Sequence, residues 1–520
     1  MDRVPLDSYL VSFLSHLLVA VSCFVIVRSF LSGLRISGTR PLPPSPPALP
    51  IIGNLHQLVH GHRHRTLQAL AKRHGPLFLL HLGSVPTIVV SSASMAEEVL
   101  KTQDHAFCSR PQQFTARGIL YDCQDVGFCP YGERWRKLRR IAVDQLLSTP
   151  RVNSFRRIRE EEIASLIDQV RAASARDNNN NNNKRQGVNI TKHILGLTYS
   201  VVSRAAFGNK LGGMAPQVMH EMFKEVFDLL QTIAVSDMFP RLGWVDRATG
   251  LDARTKRMAS KLDGLLETAL REHEKCWQDN DEDGDLLDDL LSVLKEDKDS
   301  SGFKLDRTDA KGLIADMFIA GTDTTFKLME WAMAELVKNP KEMEKIQAEV
   351  RQIARAQGRI LEEQLDSMSL LRAALKEALR LHPPAPLLIP HEVVQDTKLQ
   401  GYDIPAKTRV IINAWAIGRD NELWESADEF RPERFMQSSF EYTVNDFRFI
   451  PFGAGRRGCP GVAFGTRLAE LTLANMLYHF DWMLPDGQDL ESFQVTESSG
   501  FSPGLNHALT LVATPLKQET

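Results

Sequence analysis

Among the 520 residues, the one whose setting points most directly to chemistry is Cys459, in the stretch Pro451-Phe-Gly-Ala-Gly-Arg-Arg-Gly-Cys-Pro-Gly461. Glycines at 453, 455, 458 and 461 strip the loop of side-chain bulk, so a planar macrocycle can approach the backbone closely. A thiolate presented there suits axial ligation of haem iron, because it pushes electron density into the metal and favours O–O cleavage. It must be kept anionic, and Arg457, the N-terminus of the following helical run and the iron itself are expected to lower its pKa. Phe452 would pack against the loop. The same residues spell Gly453-x-Gly455-x-x-Gly458 between the strand-like FRFIPF and a helical run, the order of a dinucleotide-binding turn. Only about 60 residues remain beyond it, too few for a βαβαβ half. Pro460 and the paired arginines would also crowd the backbone that must meet a pyrophosphate. The thiolate reading gives the cysteine a role; the nucleotide reading gives it none.

Further candidates lie upstream. Ala320-Gly-Thr-Asp-Thr-Thr325 interrupts an otherwise apolar helical stretch. Hydroxyls there commonly back-bond within the helix, yet an acid beside an alcohol is also what proton delivery to dioxygen requires, and Gly321 permits a local distortion. Glu377 and Arg380 are three apart and share a helix face. Trp135 and Arg139 lie one helical turn apart, an indole N–H and a guanidinium suited to carboxylates.

At these residues the chain resembles the cytochrome P450 superfamily, whose cysteine loop reads F-x-x-G-x-R-x-C-x-G. Phe452, Gly455, Arg457, Cys459 and Gly461 fill every specified position. The resemblance implies that Asp323 and Thr324 stand over the distal face. It also implies that Glu377 and Arg380 join Arg434 of Phe430-Arg-Pro-Glu-Arg-Phe435 in a structural core, and that Trp135 and Arg139 serve haem propionates. His391 stands where many relatives carry an arginine for a propionate, and could donate in its place. The implied fold is mainly α with small β-sheets, the cytochrome P450 fold, holding haem b between the long distal helix and the cysteine loop. The implied electron donor is an NADPH-dependent, flavin-containing reductase. Arg136, Lys137 and Arg140 could help to dock an acidic partner. The proline segment, AGTDTT, FRPERF and PFGAGRRGCPG look most like plant microsomal members.

The elements that must position these groups are legible as patterns. FLLHLGSVPTIVV reads as a hairpin turning at Gly83-Ser84. Helical periodicity runs over about 155–176, 217–234, 252–276, 308–338 and 341–356, the longest closed by Asn339-Pro340. Asn178 to Asn183 is a loop insertion without chemistry. With no internal repeat and no second linker, residues 51–520 read as one catalytic domain.

The first 40 residues differ. Tyr9 to Val27 is uncharged over 19 residues, just enough for a helix to span a bilayer, which takes about 20. The acidic start and the absence of an A-x-A site argue against a cleaved signal. Arg28, Arg35, Arg40, Arg63, Arg65, Lys72 and Arg73 follow with no acid before Glu97, so this flank is expected to stay cytosolic, with the anchor in the endoplasmic reticulum membrane as a single pass. Residues 1–40 thus read as anchor and basic flank. Residues 41–50, PLPPSPPALP, hold six prolines and read as a stiff hinge. In that topology the sequon at Asn189 would meet no glycosyltransferase.

A formal net charge of −3 argues against a nucleic-acid binder. Six scattered cysteines with no metal spacing fit a reducing compartment. Asp279-x-Asp281-x-Asp283-Gly284 opens like a calcium loop but has Leu290 at the twelfth position, so it reads as an acidic surface loop. His60, His62 and His64 read as a solvated turn. The substrate pocket is expected around Phe114 to Leu120, Met317, Ile319, Leu387 to Ile389 and Phe501-Ser502, favouring a small lipophilic molecule. Two other functions fit parts of the pattern: a haem-thiolate isomerase or dehydratase needing no reductase, and a membrane haem- or lipid-binding protein without catalysis.

Overall fold

The computed structural model describes residues 41–59, 61–178, 185–208, 216–276, 284–296, 304–354, 360–436, 440–443, 446–491, 493 and 495–516. The expected span at Tyr9–Val27 and His60 lie outside these. Among the described residues no helix is long and apolar enough to cross a membrane.

The helix Arg307–Lys338 is the axis of the fold. Asp306 begins it with a capping box, its side chain accepting from Asp309 N–H while Asp309 reaches back to Asp306 N–H. Asn339 ends it, and Pro340 opens the next helix, Pro340–Ala354. Its flanks are covered by Ile190–Phe207, Val462–His479 and Ser369–Leu381. Phe318 fixes one such face, with Phe207 edge-on at 5.2 Å and Phe223 at 5.0 Å, contacts worth about 0.5–1.5 kcal/mol each beyond area burial. Gly312 allows the closest approach: a Cβ there would lie 2.0 Å from the Gln124 carbonyl. The axis is thereby pressed against the segment that roofs the cavity.

The sheets are small and peripheral. Leu77–Leu82 and Val85–Val90 form the expected hairpin, with Leu82 opposite Val85 across Gly83-Ser84. Val85–Val90 pairs in parallel with Arg409–Ile412, which pairs antiparallel with His391–Glu392. The proline segment docks on this sheet: Leu79 N–H donates to Pro44 O at 2.8 Å, and the Asn54 amide reaches Pro46 O at 3.3 Å.

Glu377 and Arg380 are completely buried and bonded twice at 2.7 Å, and Arg434 joins Glu377 at 3.0 Å. Arg380 also donates to the carbonyls of Gly418 and Ala427 at 2.6 Å, clasping the chain that leads to the cysteine loop. Beyond the clasp Trp424, Phe435, Phe440 and Phe449 pack ring on ring.

One surface reading needs correction. His64 is not solvated: it is 3% exposed and lies 3.3 Å from the Glu497 carboxylate, because the helix Arg63–His74 turns that face onto the body. Asp279, Asp281 and Asp283 of the acidic stretch lie outside the described residues; Asp285, just after it, is buried. It accepts from Leu287 and Asp288 N–H at a helix start and meets His273 at 2.7 Å.

Candidate active site

The cysteine loop is closed by one backbone bond, Cys459 N–H to Phe452 O at 2.9 Å. Gly455 is obligatory within it: φ is +65°, and a Cβ would sit 2.0 Å from Leu100 O. Phe452 packs edge-on to Tyr442. The Cys459 side chain is exposed, yet deep inside the molecule, because its free surface faces a cavity of about 320 Å³. Burial pushes the thiol pKa up, opposed by the Gly461 backbone N–H and the Arg139 charge. The helix N-terminus therefore acts as expected, but Arg457 does not. Its guanidinium donates to the carbonyls of Cys108 and Cys129 at 2.7 Å and of Val126 at 3.3 Å, which turns it away from the sulfur.

Arg110, Trp135, Arg139, His391 and Arg457 all line the same cavity. Arg457 lies 4.1 Å over the Trp135 ring, while the Trp135 indole donates to Val126 O at 3.2 Å. His391 is buried and bonds Phe107 O through Nδ1 at 2.8 Å. A carbonyl only accepts, so Nδ1 carries the proton, and Nε2 donates only when the ring is charged. Burial and the neighbouring Arg110 and Arg457 push the ring well below its usual pKa, and an anion placed among them would favour the charged form.

Arg110 was missed in the sequence. It is 4% exposed, and its hydrogen bonds run to the carbonyls of Gly127, Ile389 and Pro390. Burial lowers its pKa strongly and takes that of Arg457 to about 10. Buried guanidiniums satisfied only by carbonyls are costly without a counter-anion. This donor set fits a ligand bearing carboxylates at one edge, with the thiol facing its centre. Haem b has that form.

Across the cavity, Thr324 and Thr325 line the opposite wall, and Asp323 does not. The helix runs unbroken through 320–325, without the distortion that Gly321 permits. Thr324 Oγ1 back-bonds Ala320 O at 2.7 Å, so the ordinary hydroxyl role and the cavity-facing position coincide. Asp323 is 4% exposed and points to Lys327 Nζ at 2.7 Å.

The remaining lining is apolar. Leu120, Met317, Ile319, Leu388, Ile389 and Phe501 contribute as expected, whereas Phe114, Leu387 and Ser502 do not. Unforeseen are Val202, Val226, Phe227 and Leu230 from two further helices. The polar exception is Asp316, four and eight residues before Ala320 and Thr324. That helical spacing was readable but overlooked. Its carboxylate accepts from Val126 and Gly127 N–H at 2.7 and 3.2 Å, and it shares a buried setting with Asp125.

Burial raises Asp316 to about 6. A carboxyl raised on folding stabilises below its unfolded pKa, and that stability is lost as pH rises through the folded value. The roof at 125–128 is therefore expected to open more easily at pH 7 than at pH 4.5, by about 1–3 kcal/mol. Hydrogen exchange at Val126 and Gly127, corrected for intrinsic rates, measures this. Asp316→Asn should weaken the dependence and leave the part due to Asp125, which burial also raises. Protection unchanged with pH in the parent would refute it.

Comparison with known proteins decides the family. The cytochrome P450 family model matches residues 43–507. The chain belongs to the cytochrome P450 family. It is 47% identical over 465 residues to cytochrome P450 71A1 of Persea americana, covering 89% of this chain and 91% of that one. It is 42% identical to phenylacetaldehyde oxime monooxygenase CYP71AN24 of Prunus mume, covering 91% and 89%. A zebra fish cytochrome P450 structure with progesterone superposes with a TM-score of 0.72 at 28% identity, covering 88% of this chain and all of that one. The protein is thus a plant-type cytochrome P450 monooxygenase, and the mainly helical fold with small sheets is that of the family.

Proposed function

We propose that this cytochrome P450 inserts one atom of dioxygen into a small lipophilic substrate, with electrons from an NADPH-dependent flavin reductase. The observation that carries the reading is the accessible Cys459 sulfur facing an apolar cavity flanked by buried guanidiniums and, opposite, by Thr324. Cys459 would hold the haem iron. Arg110, Trp135, Arg139, His391 and Arg457 would hold the propionate edge, and Phe452 and Gly461 would shape the loop. Bound haem would supply the redox chemistry that activates dioxygen. The protein's own contribution is positional. Met317, Ile319, Leu388 and Phe501 exclude water and orient the substrate. Thr324 holds a proton at Oγ1 on the cavity wall, and Asp323 supplies charge one position behind it.

Phenylacetaldehyde oxime, named for one relative, is a small aromatic molecule of the kind that Phe227 and Phe501 would accept. Residues 1–40 serve as membrane anchor and basic flank, 41–50 as hinge, and 51–520 as a cytosolic catalytic body at the endoplasmic reticulum. Arg136, Lys137 and Arg140, on the helix that carries Trp135 and Arg139, meet the acidic reductase.

The test combines membranes, reductase and ¹⁸O₂. Lipophilic compounds that shift the haem spectrum are expected to gain one labelled oxygen only when NADPH and reductase are present. A form lacking residues 1–35 should leave the membrane with haem retained. Turnover without NADPH would instead favour an isomerase or dehydratase, and spectral binding without turnover would favour a carrier.

A further inference from the structure

The segment 496–506 folds back on itself as a narrow loop. Asn506 N–H donates to Thr496 O and Ser498 N–H to Gly504 O, both at 2.8 Å, and Glu497 bridges Leu505. Between the two limbs Phe501 reaches the cavity and stacks on Phe227 at 6.1 Å. The outgoing limb is fastened to the distal helix, where Lys327 donates to Ser502 O and Trp331 Nε1 to Pro503 O at 3.4 Å. The incoming limb is fastened elsewhere, to the helix Arg63–His74. There Arg65 donates twice to Glu497 Oε2, at 2.8 and 3.2 Å, and His64 Nε2 lies 3.3 Å from the same oxygen. The start of that helix is itself fixed. Asn413 Nδ2 donates to His64 O at 2.9 Å, and the Trp415 ring packs on His64 at 4.8 Å and under Arg65 at 5.0 Å.

We infer that Glu497 is a positioning residue: by fastening the incoming limb to Arg65 and His64, it sets how far Phe501 reaches into the substrate space. The inference deepens the reading of Phe501 as a wall that orients the substrate, and rests on it. An ion pair in open solvent carries little weight. This one differs because the Glu497 side chain is only 9% exposed, so loss of its donors leaves a largely buried acceptor unpaired. Burial alone would raise the Glu497 carboxyl, but His64 and Arg65 outweigh it and hold it at about 2. The carboxylate is therefore charged throughout the neutral range. Glu497, His64 and Arg65 do not line the cavity, so their effect reaches the substrate through Phe501. With the tether released, the loop spends part of its time with Phe501 withdrawn. Affinity then falls with the fraction of molecules whose wall is complete.

Two probes applied to the full chain with haem test this, both read by the haem spectral shift. Imidazole itself is too small to reach the wall, whereas a biphenyl-substituted imidazole carries an apolar tail into the space that Phe501 bounds. In Glu497→Gln the biphenyl probe should bind about 3- to 10-fold more weakly, while imidazole binds as in the parent. Arg65→Met should change in the same direction, and serves if Glu497→Gln folds poorly. Arg65→Lys keeps the charge and should stay near the parent. Phe501→Ala should also weaken the biphenyl probe, and adding Glu497→Gln to it should cost little more, since residues acting as a unit are not additive. Hydrogen exchange at Ser498 and Asn506 should quicken in Glu497→Gln. Unchanged binding of the biphenyl probe in Glu497→Gln and Arg65→Met overturns the inference. So does an equal loss for both probes, or a full added loss on top of Phe501→Ala. A Phe501→Ala variant that binds the biphenyl probe as the parent does overturns the orienting role of Phe501 instead, even if the exchange quickens.

Discussion

Replacing Cys459 with alanine is expected to abolish the thiolate-type spectrum of the reduced carbon monoxide complex and to reduce oxygenase activity to background. The expectation follows from where the sulfur is. Among the cysteines whose side chains are described, Cys108, Cys123 and Cys129 are buried, and Cys459 is exposed, toward the cavity. No other cysteine lines that cavity to take its place, and the Met317 thioether on its wall cannot become a thiolate. Burial holds the free thiol in its protonated form, so the charge needed for ligation has to be induced by the metal, as coordination does for thiols in general. The surrounding loop should survive the change: the Phe452 carbonyl bond, the Gly455 turn and the Arg457 clasp do not involve the sulfur. Cys459→Ala should therefore remain folded and keep its helical circular dichroism. Retention of the thiolate spectrum would overturn the assignment. Loss of fold along with the spectrum would show that the sulfur is structural.

Much of this architecture could be read from the chain because local rules and tertiary packing agree there. Gly83-Ser84 turns a hairpin between two short, mostly buried apolar runs, with Leu82 opposite Val85. Asn339 ends the long helix where the Asn-Pro signal places its end. The triad Glu377, Arg380 and Arg434 is assembled by residues whose spacing already put two of them on one helix face. What escaped was set by contacts between distant segments. The helix Ile190–Phe207 is buried on nearly every side, so its apolar residues show no face to count. Arg110 sits in an extended stretch, and only the fold reveals that its acceptors come from residues 127, 389 and 390. Arg457 was expected to act on the nearby sulfur, but the loop aims it at the carbonyls of 108, 126 and 129. Asp323 and Thr324 are adjacent in sequence and so about 100° apart around a helix, which is why one faces the cavity and the other faces Lys327.

That separation shapes the expected behaviour of Thr324→Ala. The hydroxyl is at the cavity wall and bonds only to Ala320 O within its own helix. Its removal breaks no contact between elements, and alanine is the better helix former. Folding, haem content and the carbon monoxide spectrum should be nearly unchanged. Asp323 should also stay in place, since Lys327 and not Thr324 holds it. What is lost is the Thr324 hydroxyl at the wall, while electron entry continues. Product formation with a substrate identified by its haem spectral shift should fall by about 10²- to 10⁴-fold, the range for a positioned acid–base group. NADPH oxidation should persist, with hydrogen peroxide released in place of product. Thr325, which also lines the cavity, provides the control. Its hydroxyl lies toward the Gly465 side of the wall, where a Cβ would come within 3.1 Å of it. Thr325→Ala should accordingly affect packing more than product per NADPH. Equal product per NADPH in Thr324→Ala and the parent would remove Thr324 from the mechanism while leaving Cys459 untouched.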